Sequence, residues 1–264
     1  MTRPGEWLGG PTSARTHCVL APNPSSMTLE GTNTWVLAEP GAEQVIVVDP
    51  GPLLERHLEA VLDLLAERGQ RVGLTLLTHG HWDHAQSAAR FGELTRAPVH
   101  AIGPGHADLR DGDVVSLDGL EVVVVSTPGH SQDSVSFLLP AENALLTGDT
   151  VLGWGTTVVT WPDGVLSEYL DSLDRLAAMT GSGAVSRLLP GHGATLDDAA
   201  GTIRYYIAHR HERLDQVRRA VEGGLGHDAD AIVEHVYADV PRDLWPAAKL
   251  SVLAQLDYLR GRDH

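Results

Sequence analysis

THGHWDHAQS, residues 78–87, sets three histidines and an aspartate within six positions. Imidazole and carboxylate are donors that suit zinc and its neighbours in the first transition row. Further along, the same two side-chain types return at matched places. His130 stands in TPGHS after the apolar run LEVVVVS, Asp149 in TGDT after NALL, and His192 in PGHG after SRLL. Each time an apolar strand ends, a glycine makes the turn and a metal-capable side chain follows. Strand ends gathered on one sheet edge are where α/β proteins build sites. The set is His79, His81, Asp83, His84, His130, Asp149 and His192, five imidazoles and two carboxylates. That is too many for one tetrahedral ion and suits two ions sharing a carboxylate. No cysteine is among them, so a thiolate-rich structural zinc is excluded.

The elements around these positions indicate α/β layering. NTWVLAE, QVIVVD, LTLLT, LEVVVVS, SVSFLL, NALLTGD and SRLLP read as strands by composition and by their Gly, Pro, Asp and Asn boundaries. LLERHLEAVLDLLAERG reads as a helix closed at Gly69, and residues 167–179 as a second amphipathic helix. DHAQSAARF reads as a helix for which Asp83 could serve as N-cap. After about residue 200 the strand signals stop. A long helix runs to Gly223 and Gly224, a second opens at Asp228 or Asp230 and reaches Val240, and a third spans about 244–259. The expected division is residues 1–200 and a helical appendage at 201–264.

THGHWDH resembles the HxHxDH signature of the metallo-β-lactamase superfamily, and the later His, Asp and His follow in that family's order. The resemblance implies a four-layer αββα sandwich with the ligands along one edge. It implies that His79, His81 and His130 form one metal site and Asp83, His84 and His192 a second, with Asp149 bridging. VVDPG, residues 47–51, looks like the family's early strand, whose terminal acid, here Asp49, supports the site from behind. NPSSMTLEGTNTWVL, GDTVLGWGTT, AHRHERLDQV and VYADVPRDLWPAAKLSVLAQLDYL are similar to the β-lactamase-like hydrolase branch that includes an endoribonuclease and carries a C-terminal winged-helix-like segment. Fold transfers across such a branch better than substrate does.

The implied cofactors are two zinc ions, although the same donors would accept iron or manganese. The implied chemistry is hydrolysis, with a metal-bridging hydroxide attacking an ester, thioester, lactam or similar small-molecule bond. Asp83 would orient that nucleophile and take its proton. Two dications, two carboxylates and a hydroxide leave a net charge of about +1, which favours an anionic small-molecule substrate. Trp154 and Trp161, in GWGTTVVTWPDG, are candidates for a substrate wall over the metals or for packing anchors under a loop.

Composition narrows the remaining classes. The formal charge of −16 argues against a general polyanion binder. Arg204, Arg210, Arg213, Arg218 and Arg219 read as a solvated helix face interleaved with Glu212, Asp215 and Glu222; the sharper reading is a nucleic-acid surface. Single-stranded RNA cleavage is therefore the second functional reading, and a scaffold with a non-catalytic metal site the third. The complete ligand set speaks against the third. His81 excludes a flavodiiron reductase, where an acid stands instead. Cys18 is the single cysteine, and no run reaches signal-peptide or membrane-span character, so the expectation is a cytoplasmic protein without membrane attachment.

Overall fold

A strand that is apolar on both faces must be covered on both, and that requirement lays the chain out in four layers. The computed structural model describes residues 5–103 and 106–261. The first sheet holds β1 (Gly10–Pro11), β2 (Thr16–Leu20), β3 (Asn33–Leu37), β4 (Gln44–Val48), β5 (Arg71–Leu76) and β6 (Val99–His100), in that spatial order. Up to β4 the neighbours are antiparallel; β4–β5 and β5–β6 are parallel. Parallel steps need crossovers, here α1 (Glu55–Glu67) and then α2 (Trp82–Ala85) with α3 (Ala88–Thr95). A short ribbon, β7 (Ile102–Gly103) and β8 (His106–Ala107), leads to the second sheet. That sheet holds β9 (Val114–Leu117), β10 (Leu120–Ser126), β11 (Val135–Leu139), β12 (Ala144–Gly148) and β13 (Arg187–Pro190), in spatial order from β13 to β9. The parallel β12–β13 step is bridged by α4 (Leu166–Gly181).

Side-chain alternation distributes the core. In β4, Ile46 and Val48 enter the cluster between the sheets, while Val45 and Val47 enter the one under α1 and α3. In the second sheet Val122, Val124 and Phe137 face inward, and Val125 and Leu145 pack against α4 and α5 (Ala199–Ala220). Each such side chain contributes about 1.5–3 kcal/mol by leaving water. The layers are the expected αββα sandwich.

Beyond Ala199 the described residues form helices and no strand. Ile203, Tyr206 and Leu214 of α5 pack with α4, whereas Val217 and Ala220 pack with α6 (Ala229–Val236) and α7 (Trp245–Leu259). Asp228 is the cap of α6, its carboxylate accepting from the backbone N–H groups of Asp230 and Ala231. This helix ends at Val236 rather than Val240. Tyr237 leaves the helical region at φ −112° and ψ 24°, and its ring lies under the Arg213 guanidinium. No helix among the described residues is long and apolar enough to cross a membrane.

Six strands, β1, β2 and β6 to β9, were not read from the sequence, and the two longest of them show why. β2 (THCVL) is short and half polar, and its extended form comes from pairing with β3 along its whole length. β9 pairs with β10 across Asp118–Gly119, whose positive φ angles of 47° and 89° make a type I′ hairpin turn. The Asp-Gly dipeptide was the available signal there.

Candidate functional site

The HxHxDH stretch changes conformation midway, and that change assembles its four side chains. β5 ends at Leu76, the chain bends at Thr78, and His81 is extended at φ −61° and ψ 146°. The rings of His79 and His81 meet edge to face, with centroids 4.6 Å apart. α2 then begins at Trp82 and carries Asp83 and His84 on its single turn. His81 occupies the N-cap position, so the capping reading of Asp83 does not hold. Its carboxylate instead approaches His192 Nε2 at 3.2 Å.

Three loops bring in the rest. His130 follows Gly129, whose φ is +123° and where a Cβ would come within 2.3 Å of the Tyr169 backbone. Asp149 directly follows β12. His192 sits past β13 after Gly191, where a Cβ would stand 2.7 Å from the His84 ring and 2.8 Å from Asp149 Oδ1. The His192 loop is held by the GTN segment at 31–33. Asn33 Nδ2 donates to Pro190 O and Gly193 O at 2.9 and 2.8 Å, and the Asn33 amide donates to Gly191 O at 2.7 Å.

All seven candidate side chains meet here. His81 Nδ1 lies 3.0 Å from His79 Nε2 and 3.0 Å from His130 Nε2. His84 Nε2 and His192 Nε2 are 3.2 Å apart. Asp149 Oδ1 faces that second pair at 3.3 and 3.4 Å, while Oδ2 faces His130 Nε2 at 3.7 Å. A tetrahedral ion with metal–nitrogen bonds of about 2.0 Å sets its donors roughly 3.3 Å apart. The observed spacings match that requirement.

The outer ring atoms fix which nitrogen faces inward. His130 Nδ1 donates to Val158 O at 2.6 Å and His192 Nδ1 to Gly31 O at 3.0 Å. His84 Nδ1 meets Asp49 Oδ2 at 2.9 Å. Thr78 Oγ1 gives its own proton to Asp49 Oδ2 at 2.6 Å and can therefore accept from His79 Nδ1 at 3.0 Å. With a proton committed to each Nδ1, the Nε2 lone pairs are free to point into the site. Asp149 Oδ1 is buried and has no hydrogen-bond donor. Inward lone pairs around an orphaned buried carboxylate oxygen are what a cationic occupant would satisfy, so these residues fit divalent ions in number, type and spacing.

The two donor sets differ in proton affinity. Burial lowers His79 well below the ordinary histidine value and lowers His130 to about 4. Burial also opposes charge on His84 and His192, but the carboxylates outweigh it, Asp149 first in both cases. His84 is raised well above the ordinary value and His192 to about 9. Asp149 is held well below the carboxylate range because His192 and His84 overcome its burial. Asp83 is lowered in the same way, chiefly by His84. Protons therefore compete with metal at His84 and His192 and scarcely at His79 and His130. A pKa raised to about 9 leaves His192 protonated at neutral pH, so affinity for a second ion should climb as pH rises towards 9. The climb should be about tenfold per pH unit for each displaced proton. Above pH 5 the first ion should show little such dependence from His79 or His130. Metal titration of the metal-free protein between pH 6 and 9, with proton release followed by indicator, reads both.

Behind the site, Asp49 is buried and accepts from Thr78 N, Thr78 Oγ1 and His84 Nδ1. The two tryptophans take different places. Trp154 donates to the Glu30 carboxylate at 3.1–3.2 Å and lines a cleft of about 250 Å³ that also contains His130 and Asp149. Trp161 donates to Asp257 of α7 at 2.8 Å. The five arginines do not share a face. Arg204, Arg218 and Arg219 are exposed, Arg218 pairs with Asp215, Arg213 is half-buried and Arg210 is buried. Sequence reasoning assigned no role to Thr78 or Asn33, and its solvated-face reading of Arg210 fails because that side chain is buried. Thr78 and Asn33 adjoin quoted motifs, but only packing reveals what they bond.

Comparison with known proteins gives the family and the fold. The family model described as Metallo-beta-lactamase superfamily matches residues 27–109 and 101–192, and that of the Beta-lactamase associated winged helix domain matches 229–263. An Atrochrysone carboxyl ACP thioesterase from Aspergillus fumigatus is 35% identical over 253 residues, 88% of this chain and 76% of its own. A Beta-lactamase-like protein 2 homolog from Drosophila melanogaster is 31% identical over 261 residues, covering 91% and 86%. Among solved structures, a metallo-beta-lactamase family protein from Thermus thermophilus shares the fold with a TM-score of 0.77 at 23% identity, covering 94% of each chain.

Proposed function

The chain belongs to the metallo-beta-lactamase superfamily, and from that premise we propose that it is a dinuclear metal-dependent hydrolase acting on a small-molecule ester or thioester. The observation that carries this reading is the convergence of seven side chains into two donor sets that share Asp149. In this reading His79, His81 and His130 hold one ion, and Asp83, His84 and His192 the other. Residues 1–200 carry this machinery and residues 201–264 supply the far wall of the cleft.

Two bound divalent ions, zinc in our reading, would supply a water acidic enough to react near neutral pH and a positive charge to polarise the scissile carbonyl. The remaining work falls to side chains. Asp83 is kept ionised by the neighbouring His84 and His192 and would orient the attacking water and take its proton. Asp149 holds the two donor sets together. Asp49 and Thr78 keep the His84 and His79 rings in the tautomers the site needs. The thioesterase named among the relatives supports the choice of an acyl bond. RNA cleavage gains no support from α5, because its arginines are divided between solvent, an ion pair and the protein interior.

The test is metal content after purification without added metal, paired with turnover of a neutral thioester, a lactam, bis-p-nitrophenyl phosphate and a labelled single-stranded RNA. About two zinc ions per chain with thioester or ester turnover is the expected result. RNA cleavage abolished by Asp83→Ala would replace the acyl reading, and fewer than one ion without turnover would overturn the hydrolase.

A further inference from the structure

The cleft beside the metal-capable side chains lies between the sandwich and the C-terminal helices, with a volume of about 250 Å³. Most of its wall is apolar: Leu29 and Leu152 come from the sandwich side, Val240, Leu244 and Ala248 from the appendage. Arg210 and Arg213 of α5 also line it. Both guanidiniums are always charged, and among the described residues neither forms an ion pair, unlike the arginines at 15, 71, 90, 175, 187, 218 and 260.

Arg210 is the stronger anomaly. It is 4% exposed, donates to the Thr157 carbonyl and lies with Cζ 4.9 Å from the centre of the Tyr169 ring, yet its Nε is buried without an acceptor. Arg213 gives its Nη1 to Gln216 Oε1 at 2.9 Å and to Val236 O at 3.0 Å, and stacks 4.8 Å above the Tyr237 ring. Rings and carbonyls solvate these cations on one side only. A buried charge without a counter-charge costs several kcal/mol, and an anion arriving in the cleft would recover part of that cost. The spot is close to the chemistry: Thr157, whose carbonyl holds Arg210, gives its hydroxyl to the Asp149 carbonyl at 2.7 Å.

We propose that this cleft is the acyl pocket of the hydrolase and that Arg213 and Arg210 select an acyl group bearing its own carboxylate. The inference rests on the hydrolase reading above and names its substrate class: a thioester or ester of an apolar acyl chain with a second, anionic end. The apolar wall takes the chain, the arginines take the carboxylate, and the scissile carbonyl is left towards His130 and Asp149. Because Arg210 also ties down Thr157, its replacement would disturb the site itself; Arg213 is therefore the residue to change.

The experiment compares two N-acetylcysteamine thioesters, glutaryl and its methyl ester, which differ at the distal end by the negative charge and one methyl group. The metal-loaded wild-type protein should favour the free acid by about tenfold or more in kcat/KM, mainly through KM, since a charge-assisted contact to a desolvated guanidinium is at stake. Arg213→Leu should bring the two within about threefold by losing more on the free acid than on its methyl ester, and Arg213→Lys should keep most of the preference. Equal use of both thioesters by the wild type overturns the proposal. So does a preference undiminished in Arg213→Leu, or an equal loss on both substrates in that variant. Turnover of neither would strike the hydrolase reading instead. The anion site would then be read by calorimetry with 4-phenylbutyrate and its amide, where a tighter acid in the wild type but not in Arg213→Leu is expected. Equal binding of acid and amide by the wild type would overturn it.

Discussion

Asp149→Asn should purify with about one firmly held divalent ion per chain and lose on the order of 10³-fold in kcat/KM, or about 4 kcal/mol. Asp149 faces both donor sets, Oδ1 towards His84 and His192 and Oδ2 towards His130. An amide keeps the shape but removes the negative charge and turns one donor atom into an N–H. The cation pair would then lose the carboxylate that faces both halves, and like charges repel strongly in a buried site. The His79–His81–His130 set depends less on that charge, because burial already keeps His79 and His130 unprotonated. Metal analysis and steady-state kinetics on one preparation check both halves of the expectation. Retention of two ions at full activity would mean that Asp149 is not the bridge.

The site was largely legible in sequence because its candidate side chains are local punctuation. HxHxDH runs from the loop after β5 into α2, and His130, Asp149 and His192 each follow a strand and a glycine, so composition marks the place as well as the residue. The layered fold was legible for a related reason: strands covered on both faces, such as QVIVVD and NALLTGD, are long apolar runs. Legibility failed where identity comes from a neighbour. THCVL is a strand because β3 lies beside it. α5 reads as a solvated face because charges recur along it, yet the turn carrying Arg210 is covered by α4 and the cleft. Burial of a helical arginine depends on what packs against that turn, and the local pattern carries no record of it. Asp83 is a further case. A carboxylate before an apolar helix is the usual cap signal, but His81 takes the cap position and Asp83 falls at the second helical position, its carboxylate approaching His192.

Asp49→Asn should do more harm to chemistry than to folding, and the reason is a proton. Asp49 stands at φ +54°, a conformation that asparagine also tolerates, so the backbone change is mild. As a carboxylate it accepts three times, from Thr78 N at 2.8 Å, Thr78 Oγ1 at 2.6 Å and His84 Nδ1 at 2.9 Å. An asparagine that keeps its carbonyl on the Thr78 amide must turn its NH₂ towards Thr78 Oγ1 and His84 Nδ1. Two donors then face each other, and His84 escapes by moving its proton to Nε2, the atom that faces His192 and Asp149. A protonated Nε2 cannot ligate an ion. The same substitution behind a catalytic histidine, where the wrong tautomer results, is known to cost about 10⁴-fold in rate, and loss of a carboxylate behind a metal-ligating histidine weakens metal binding about 10- to 100-fold. Turnover should therefore fall by about 10²-fold or more, with the second ion held more weakly, while the fold survives. Asp49→Ala should differ in kind. It leaves the three donors without an acceptor in a site where Asp49 is 1% exposed, and should cost about 3–5 kcal/mol of stability. Thermal unfolding separates the two variants, and metal affinity with kcat/KM at saturating zinc shows whether the asparagine variant fails through its ligand. If Asp49→Asn matched the wild type in activity, the tautomer argument for His84 would be wrong, and the hydrogen bond from Asp49 would serve packing alone.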